Sequence, residues 1–250
     1  MRFTNSVLAV ASALFLVSSL PAQSPAPAAS PVPPQASAPP KAPASEYDRT
    51  LLKPALLKEK APETFQVNFE TTRGDFTMDV TRAWAPNGVD RFYNLVRHHF
   101  YDNMAIFRVA PGFVVQFGIS SYPVVSAAWI EATIKDDPVL KSNKRGYVTF
   151  ATGGPDTRTT QIFISTNPKD NAFLDSKGFA PFATVNKEGM KVVDKLYDGY
   201  AEAPTSDQGP IQTQGKAFLD KKYPKLDVIK HATIIGPAAA PAAAPAASNP

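Results

Sequence analysis

The sequence predicts a mainly β domain, a closed antiparallel barrel with two helical caps. Three observations support this fold class. Short apolar–polar alternations recur between residues 65 and 235, turn-rich stretches with Gly, Pro and Asp separate them, and only two segments have clear helical periodicity. The stretch of ordinary composition, residues 63–236, has the length of one domain.

The first predicted element is a hairpin in residues 65–81, FQVNFETTRGDFTMDVT. Apolar residues alternate with polar ones on both sides of Arg73-Gly74, as expected for two strands joined by a tight turn. A helix follows in PNGVDRFYNLVRHH, where Pro86 suits the first turn. Its apolar stripe is Val89, Phe92, Leu95 and Val96.

One strand is predicted next, over residues 107–117, FRVAPGFVVQF. Its period of two places Arg108 and Gln116 on the face opposite the core. A Pro-Gly pair inside the strand allows a bulge, which would turn Phe113 toward Arg108. An aromatic ring, a guanidinium and an amide would then share one concave surface, which suits a bound peptide.

The rest of the domain is predicted to be mostly strands. Residues 121–145 are expected to be irregular, and two strands then flank the loop in GYVTFATGGPDTRTTQIFIST. In the second of these strands Gln161 and Phe163 share one face. The apolar spacing of GMKVVDKLYDGY predicts the second helix, and residues 226–235, LDVIKHATII, should form the closing strand.

Both ends of the chain have compositions that a packed core does not use. Residues 1–23 combine Arg2, an apolar run of signal-peptide length and a small residue, and predict an export signal cleaved near Ala22. An uncleaved anchor is the alternative, but the apolar run is shorter than the ~20 residues of a spanning helix. Residues 24–62 are expected to be a Pro/Ala-rich disordered linker and lead-in, and residues 237–250 a similar tail. The predicted location is the periplasm or the exterior of the cell.

The composition excludes several kinds of chemistry. No cysteine occurs, so thiol catalysis is impossible. The formal net charge is only +4 and no basic cluster of nucleic-acid type occurs, so no nucleic-acid partner is expected. The three histidines form no triad, and Asp136-Asp137 lacks the spaced oxygen donors of a calcium loop and is expected in a solvated turn. No metal and no other cofactor are expected.

Four motifs occur in an order and at separations typical of one family. They are FRVAPGFVVQFG, FATGGPDTRTTQIFIST, NAFLDSKGFAPFATV and KEGMKVVDKL. Together they resemble the motifs of cyclophilin-type peptidyl-prolyl cis-trans isomerases, over residues 65–200 and more loosely to residue 236. The resemblance implies an eight-stranded antiparallel barrel capped by two α-helices, without a cofactor. Its partners would be proline-containing polypeptides and unfolded exported proteins, bound by a monomer.

The same resemblance implies the site. Arg108 falls on the family's catalytic arginine, and Gln116 is grouped with it as catalytic. The implied substrate-binding residues are Phe113, Gln161, Phe163, Leu174, Ala151, Thr152, Phe173 and Phe179. Residues 120–145 and 200–225 differ in length from the smallest family members, and no role is predicted for them.

Three positions depart from the family pattern. Thr152 replaces an asparagine that binds the peptide main chain, Phe173 stands where many members have tryptophan, and Phe179 is assigned in place of a rim histidine. Thr152 keeps open a non-catalytic proline-peptide-binding or chaperone module with the same fold. A structural cell-envelope protein with proline-rich spacers is a third alternative.

Such a site needs neither a nucleophile nor a metal. Rotation about an X-Pro bond crosses a barrier of about 18–20 kcal/mol because it breaks amide resonance. A pocket of Phe113, Phe163 and Leu174 would hold the proline ring and exclude water. Arg108 would donate a hydrogen bond to the prolyl nitrogen, whose lone pair is available only when the amide twists. The two glutamines would hold the peptide main chain and position the arginine.

Overall fold

A computed structural model of the protein describes residues 46–236. The predicted export signal, residues 24–45 of the predicted linker and the predicted C-terminal tail lie outside the described residues. Within residues 46–236, none of the helices has both the length and the apolar character needed to cross a membrane.

In the described residues nine strands form one antiparallel sheet, so the prediction of a mainly β domain is confirmed. The strands are β1 Thr64–Thr71, β2 Gly74–Thr81, β3 Met104–Ala105, β4 Arg108–Ala110, β5 Val114–Phe117, β6 Tyr147–Phe150, β7 Ile162–Ser165, β8 Pro181–Val185 and β9 Val228–Gly236. Their order across the sheet is β3-β9-β1-β2-β8-β6-β7-β5-β4. The predicted hairpin of residues 65–81 corresponds to β1 and β2, and the predicted closing strand to β9.

The predicted closed barrel of eight strands is wrong in strand number and in closure. The sheet is curled, but its end strands β3 and β4 share no ladder in the described chain. Only Ile106 and Phe107 separate these two strands, and a connection of that length spans little more than ~10 Å. The backbone itself therefore brings the two edges of the sheet near each other.

The segment predicted as one bulged strand is a hairpin made of β4 and β5. Arg108 pairs with Gln116 across it. The N–H of Phe113 donates to the carbonyl of Ala110 at 3.0 Å, and Gly112 has φ +68°. A positive φ after proline is what a type II turn requires, so Pro-Gly reverses the chain here instead of bulging it.

The domain has five α-helices in its described part, not the predicted two. They are α1 Pro86–Arg97, α2 Pro123–Trp129, α3 Lys187–Val193, α4 Gln208–Gln214 and α5 Lys216–Lys222. The helices α1 and α3 are the predicted pair. The helix α2 lies in the segment predicted to be irregular, and α4 and α5 lie in residues 200–225. Each of these three has only seven residues.

Helix α1 begins at a buried carboxylate from a distant loop. Its N-cap, Ala85, has no side-chain acceptor. The carboxylate of Asp137 instead accepts from the N–H groups of Asn87 at 2.9 Å and Gly88 at 2.8 Å. Arg158 also pairs with Asp137 at 3.0 Å, and both side chains are buried. The expected solvated turn at this position is therefore wrong.

Part of the predicted lead-in packs onto the domain. Leu51 is buried, and its carbonyl accepts a hydrogen bond from the indole of Trp129 at 2.8 Å. Ala61 is also buried, and its N–H donates to Asp90 at 2.9 Å. The domain therefore starts before residue 63, and the expectation of disorder is wrong for residues 46–62, because several of their apolar side chains, including Leu51 and Ala61, join the main core.

A separate apolar cluster attaches α4 and α5 to the sheet edge. Its buried members are Phe107, Ile119, Ile211, Leu219 and Tyr223. The N–H of Lys216 also donates to the carbonyl of Ser121 at 3.1 Å. This attachment holds the segment that precedes α4 next to β4.

Candidate active site

A cavity of about 180 Å³ opens beside the β4–β5 hairpin. It is lined by Arg108, Phe113, Val114, Gln116, Ala151, Thr152, Phe163, Leu174, Phe179, Thr205 and Gln208. Eight of the ten predicted site residues are therefore in its wall, and Gln161 and Phe173 lie just behind it. A larger cavity of about 700 Å³ between α1 and α2 contains none of them.

One side of the cavity is apolar. Phe163 and Leu174 are buried there with Ala110 and Val114, and Phe113, Ala151 and Phe179 pack partly buried around them. The rings of Phe163 and Phe179 meet edge to face with centroids 5.7 Å apart. Buried aromatic and aliphatic walls exclude water, so this side suits a small apolar ring.

The predicted Phe173 lies outside this apolar wall. Its side chain is 52% exposed. Its ring stacks on the outer side of Phe113 with centroids 6.1 Å apart. Phe173 therefore supports the wall from behind and does not line the cavity.

A row of hydrogen-bonded side chains forms the opposite side. Arg108 Nη1 donates to Gln116 Oε1 at 2.8 Å. Gln116 Nε2 donates to Gln161 Oε1 at 2.9 Å, and Gln161 Nε2 donates to Gln208 Oε1 at 3.0 Å. We refer to these four side chains as the polar row. Because every donor points the same way, each side chain fixes the next.

An acidic residue closes the arginine end of the polar row. Arg108 donates from Nε to Glu202 Oε2 and from Nη2 to Glu202 Oε1, both at 2.8 Å. Hydrogen bonding from Arg108 lowers the pKa of the Glu202 carboxyl below its ordinary value, although partial burial opposes the shift. The carboxylate is therefore ionised whenever Arg108 is in this position near neutral pH.

The Thr152 side chain is used within its own loop. Its hydroxyl donates to the carbonyl of Gly154 and lies 2.8 Å from the Thr157 hydroxyl. The neighbouring N–H of Ala151 donates to the carbonyl of Gln161 at 2.9 Å. The loop that takes the family asparagine's place is therefore held by threonine hydroxyls.

Sequence reasoning missed four residues of this site. They are Val114, Glu202, Thr205 and Gln208. For Glu202, Thr205 and Gln208, the only hint in the sequence is that residues 200–225 differ in length from the same region of the smallest family members. Within residues 46–236, no three His, Asp or Glu side chains are grouped so that they could hold a metal ion.

The family profile described as "Cyclophilin type peptidyl-prolyl cis-trans isomerase/CLD" matches residues 66–216, more than half of the 250-residue chain. The chain belongs to this cyclophilin family. It is therefore a peptidyl-prolyl cis-trans isomerase, and the prediction of an enzyme acting on proline-containing polypeptides is confirmed. The non-catalytic alternatives lose their support.

Curated bacterial relatives agree with the cyclophilin assignment. A peptidyl-prolyl cis-trans isomerase of Acinetobacter baylyi is 33% identical over 167 residues, which are 64% of this chain and 85% of the relative. Isomerase B of Escherichia coli is 32% identical over 171 residues, 65% of this chain and 94% of the relative. A solved cyclophilin-type isomerase of Cryptosporidium parvum aligns with 71% of this chain and 99% of its own, with a TM-score of 0.49 and 18% identity. The assignment rests on the sequence matches.

Proposed function

We propose that this cyclophilin accelerates rotation about X-Pro bonds in exported proteins, with the proline ring bound in the cavity and Arg108 donating to the prolyl nitrogen. One observation carries the mechanism. The guanidinium of Arg108 lies over the Phe113 ring, at the edge of a cavity whose other wall is Phe163 and Leu174. A hydrogen-bond donor and an apolar pocket are thus next to each other.

The reaction requires only that amide resonance be weakened. A planar X-Pro amide is more polar than the twisted one, so the apolar wall of the cavity favours the twisted form over the planar form once water is excluded. When the amide twists, the lone pair of the prolyl nitrogen becomes an acceptor. A donor that meets this lone pair acts chiefly in the transition state, which is how binding energy accelerates a reaction.

Arg108 retains donors for this contact. A guanidinium has five N–H groups. In the polar row and the Glu202 pair, Arg108 uses the Nε group and one group on each terminal nitrogen. One N–H on Nη1 and one on Nη2 are left for substrate. Gln116 fixes the position of the guanidinium by accepting from Nη1. Preorganised donors of this kind contribute about 3–4 kcal/mol to catalysis.

The export setting belongs to the proposal and is supported by the sequence of residues 1–23. Fused to a reporter enzyme that is active only outside the cytoplasm, residues 1–30 should direct export and be cleaved near Ala22. The clients would be unfolded exported polypeptides with proline, and the domain would act as a monomer, which light scattering measures directly. A reporter that stays in the cytoplasm overturns this part.

Cis-to-trans exchange of a short X-Pro peptide, followed by protease-free NMR, tests the mechanism. Arg108→Ala should lower kcat/KM about 10²-fold, the usual effect of losing one preorganised donor. Arg97→Ala is the matched control, because Arg97 is half-exposed on α1 and pairs with Glu59 away from the cavity. Full activity in Arg108→Ala would refute the assigned role of the arginine.

A further inference from the structure

One segment contacts the Arg108 end of the polar row and supplies Gln208 at the other end. Glu202 binds Arg108 at one end, and Gln208 accepts from Gln161 at the other. The five residues between Glu202 and Gln208 form the 3₁₀ helix Ala203–Asp207. We refer to residues 202–208 as the clasp. It lies between the predicted second helix and the closing strand, where sequence analysis assigned no role.

The clasp is fixed from behind. Pro204 is buried. The carboxylate of Asp207 accepts from the hydroxyl of Tyr223 and pairs with Lys222 at 2.6 Å. Tyr223 belongs to the apolar cluster that attaches α4 and α5 to the sheet. The position of Glu202 is therefore set by packing that is independent of the cavity itself.

Glu202 binds the Nε and Nη2 edge of the Arg108 guanidinium, which no member of the polar row contacts. Gln116 contacts only Nη1, and the Phe113 ring lies 5.3 Å from the guanidinium carbon. These two contacts alone do not fix the orientation of the guanidinium plane, because the side-chain torsions of Arg108 can still rotate. A carboxylate that accepts from Nε and Nη2 together fixes that plane, because the two parallel hydrogen bonds form only in one orientation.

We propose that Glu202 is a positioning residue for the isomerase reaction: with Gln116 it holds the Arg108 guanidinium so that its remaining N–H groups face the bound prolyl nitrogen. This inference rests on the proposed role of Arg108. Glu202 touches no reacting atom and acts through the arginine. At the other end of the clasp, Gln208 fixes the Gln161 amide by accepting its hydrogen bond. Gln161 in turn fixes Gln116, so the clasp holds both ends of the polar row in place.

The geometry disfavours two other roles for Glu202. A blocking residue would occupy the cavity or all donors of Arg108, yet two N–H groups and about 180 Å³ remain available beside it. A stabilising residue would be buried, whereas the Glu202 side chain is 54% exposed. Exposed ion pairs contribute little to folding stability.

The test compares Glu202→Gln with the wild-type enzyme. Glutamine keeps the shape but presents one acceptor and one donor to two N–H groups, so the two-bond contact is lost. We expect kcat/KM to fall about tenfold, mainly through kcat, with little change in unfolding temperature. In ¹⁵N-resolved NMR, the Nε–H of Arg108 should exchange with solvent faster than in wild type. Glu188→Gln is the control, since it removes a surface ion pair with Lys191 on α3, away from the cavity, and should change neither readout.

A double variant separates this inference from the mechanism on which it rests. If Glu202 acts through Arg108, then Glu202→Gln in an Arg108→Ala background should cause no further loss. Unchanged or increased kcat/KM in Glu202→Gln overturns the positioning role, and so does an equal loss in both backgrounds. If Arg108→Ala alone is fully active, it is the proposed mechanism that fails.

Discussion

The guanidinium carbon of Arg108 lies 5.3 Å from the centroid of the Phe113 ring. The ring therefore has two functions, since it supports the cation from one side and forms part of the cavity wall. The β-turn at Pro111-Gly112 makes this possible, because it places Phe113 directly before β5 while Arg108 starts β4. A short hairpin thus supplies both the donor and the ring beneath it.

Replacing this ring should impair catalysis more than folding. Phe113→Leu keeps apolar volume in the wall but removes the π face under Arg108, and we expect kcat/KM to fall about tenfold, equivalent to ~1.4 kcal/mol. Phe173→Leu is the matched variant, because Phe173 is half-exposed and stacks on the outside of Phe113. Its effect should be less than about threefold, since that ring does not line the cavity. Equal losses in the two variants would contradict the assigned function of the Phe113 ring.

The shared face of Arg108 and Gln116 was predictable, although the strand that carries them was not. Alternation depends on the pleat, and in a hairpin that pairs residue 108 with 116 the two side chains still point to one side. The contacts of Arg108 with Glu202 and of Gln161 with Gln208 were not predictable. They join residues 94 and 47 positions apart through short helices whose positions depend on tertiary packing.

Isomerase activity should fall in acid because Glu202 becomes protonated. Arg108 lowers the pKa of this carboxyl below its ordinary value of 4.5. A lowered folded-state pKa means that the ion pair is intact above the ordinary value and is lost as the pH falls through the folded value. We expect kcat/KM to be constant from about pH 8 to about pH 5 and to decline below pH 4.5.

The acid decline should be absent from Glu202→Gln, whose activity is lower but does not depend on this group. In the described chain the Glu202 carboxylate accepts from Arg108 and from the Thr205 hydroxyl, which donates to it at 3.2 Å. Far-UV circular dichroism at each pH shows whether the domain is still folded. An acid decline of the same size in the variant would mean that another carboxylate is responsible.

The link between Asp137 and α1 should dominate the stability of that corner of the domain. Asp137→Asn removes the charge that Arg158 faces in a site where the two side chains are 1% and 3% exposed. Leaving such a charge with a weaker partner typically costs about 3 kcal/mol, so the unfolding temperature should fall by about 6–12 °C. Differential scanning calorimetry measures this, with Asp220→Asn as the control for an exposed pair. A shift no larger than that of the control would show that the buried pair is not stabilising.

The local sequence predicts a solvated turn at Asp136-Asp137, and this prediction is wrong for a physical reason. The two backbone N–H groups that Asp137 accepts from lie 49 and 50 positions earlier in the chain, at the start of a helix whose own N-cap is an alanine. Local sequence shows that α1 lacks a capping side chain but not which distant carboxylate replaces it.

The clasp depends on a glycine that lies outside the cavity, and this gives a remote test of its importance. Gly215 separates α4 from α5 with φ +60°. A Cβ at this position would lie 2.2 Å from the carbonyl oxygen of Ser121 and 2.9 Å from Pro123. We expect Gly215→Ala to push the end of α4, which begins at Gln208, away from Ser121 and the start of α2.

We expect Gly215→Ala to lose about 2–3 kcal/mol of folding free energy from strain and lost packing, and to lower kcat/KM at temperatures where it remains folded. The matched variant is Gly209→Ala in the same helix, where an added Cβ meets nothing within 4 Å. Alanine is the better helix former, so that change should raise stability by up to ~1 kcal/mol. Thermal unfolding and peptide exchange on both variants separate the effects. If Gly215→Ala is destabilised but keeps full activity, then α4 does not hold the polar row, because displacing the helix would have removed the contact of Gln161 with Gln208. If it unfolds like wild type, the expected strain at Gly215 is wrong.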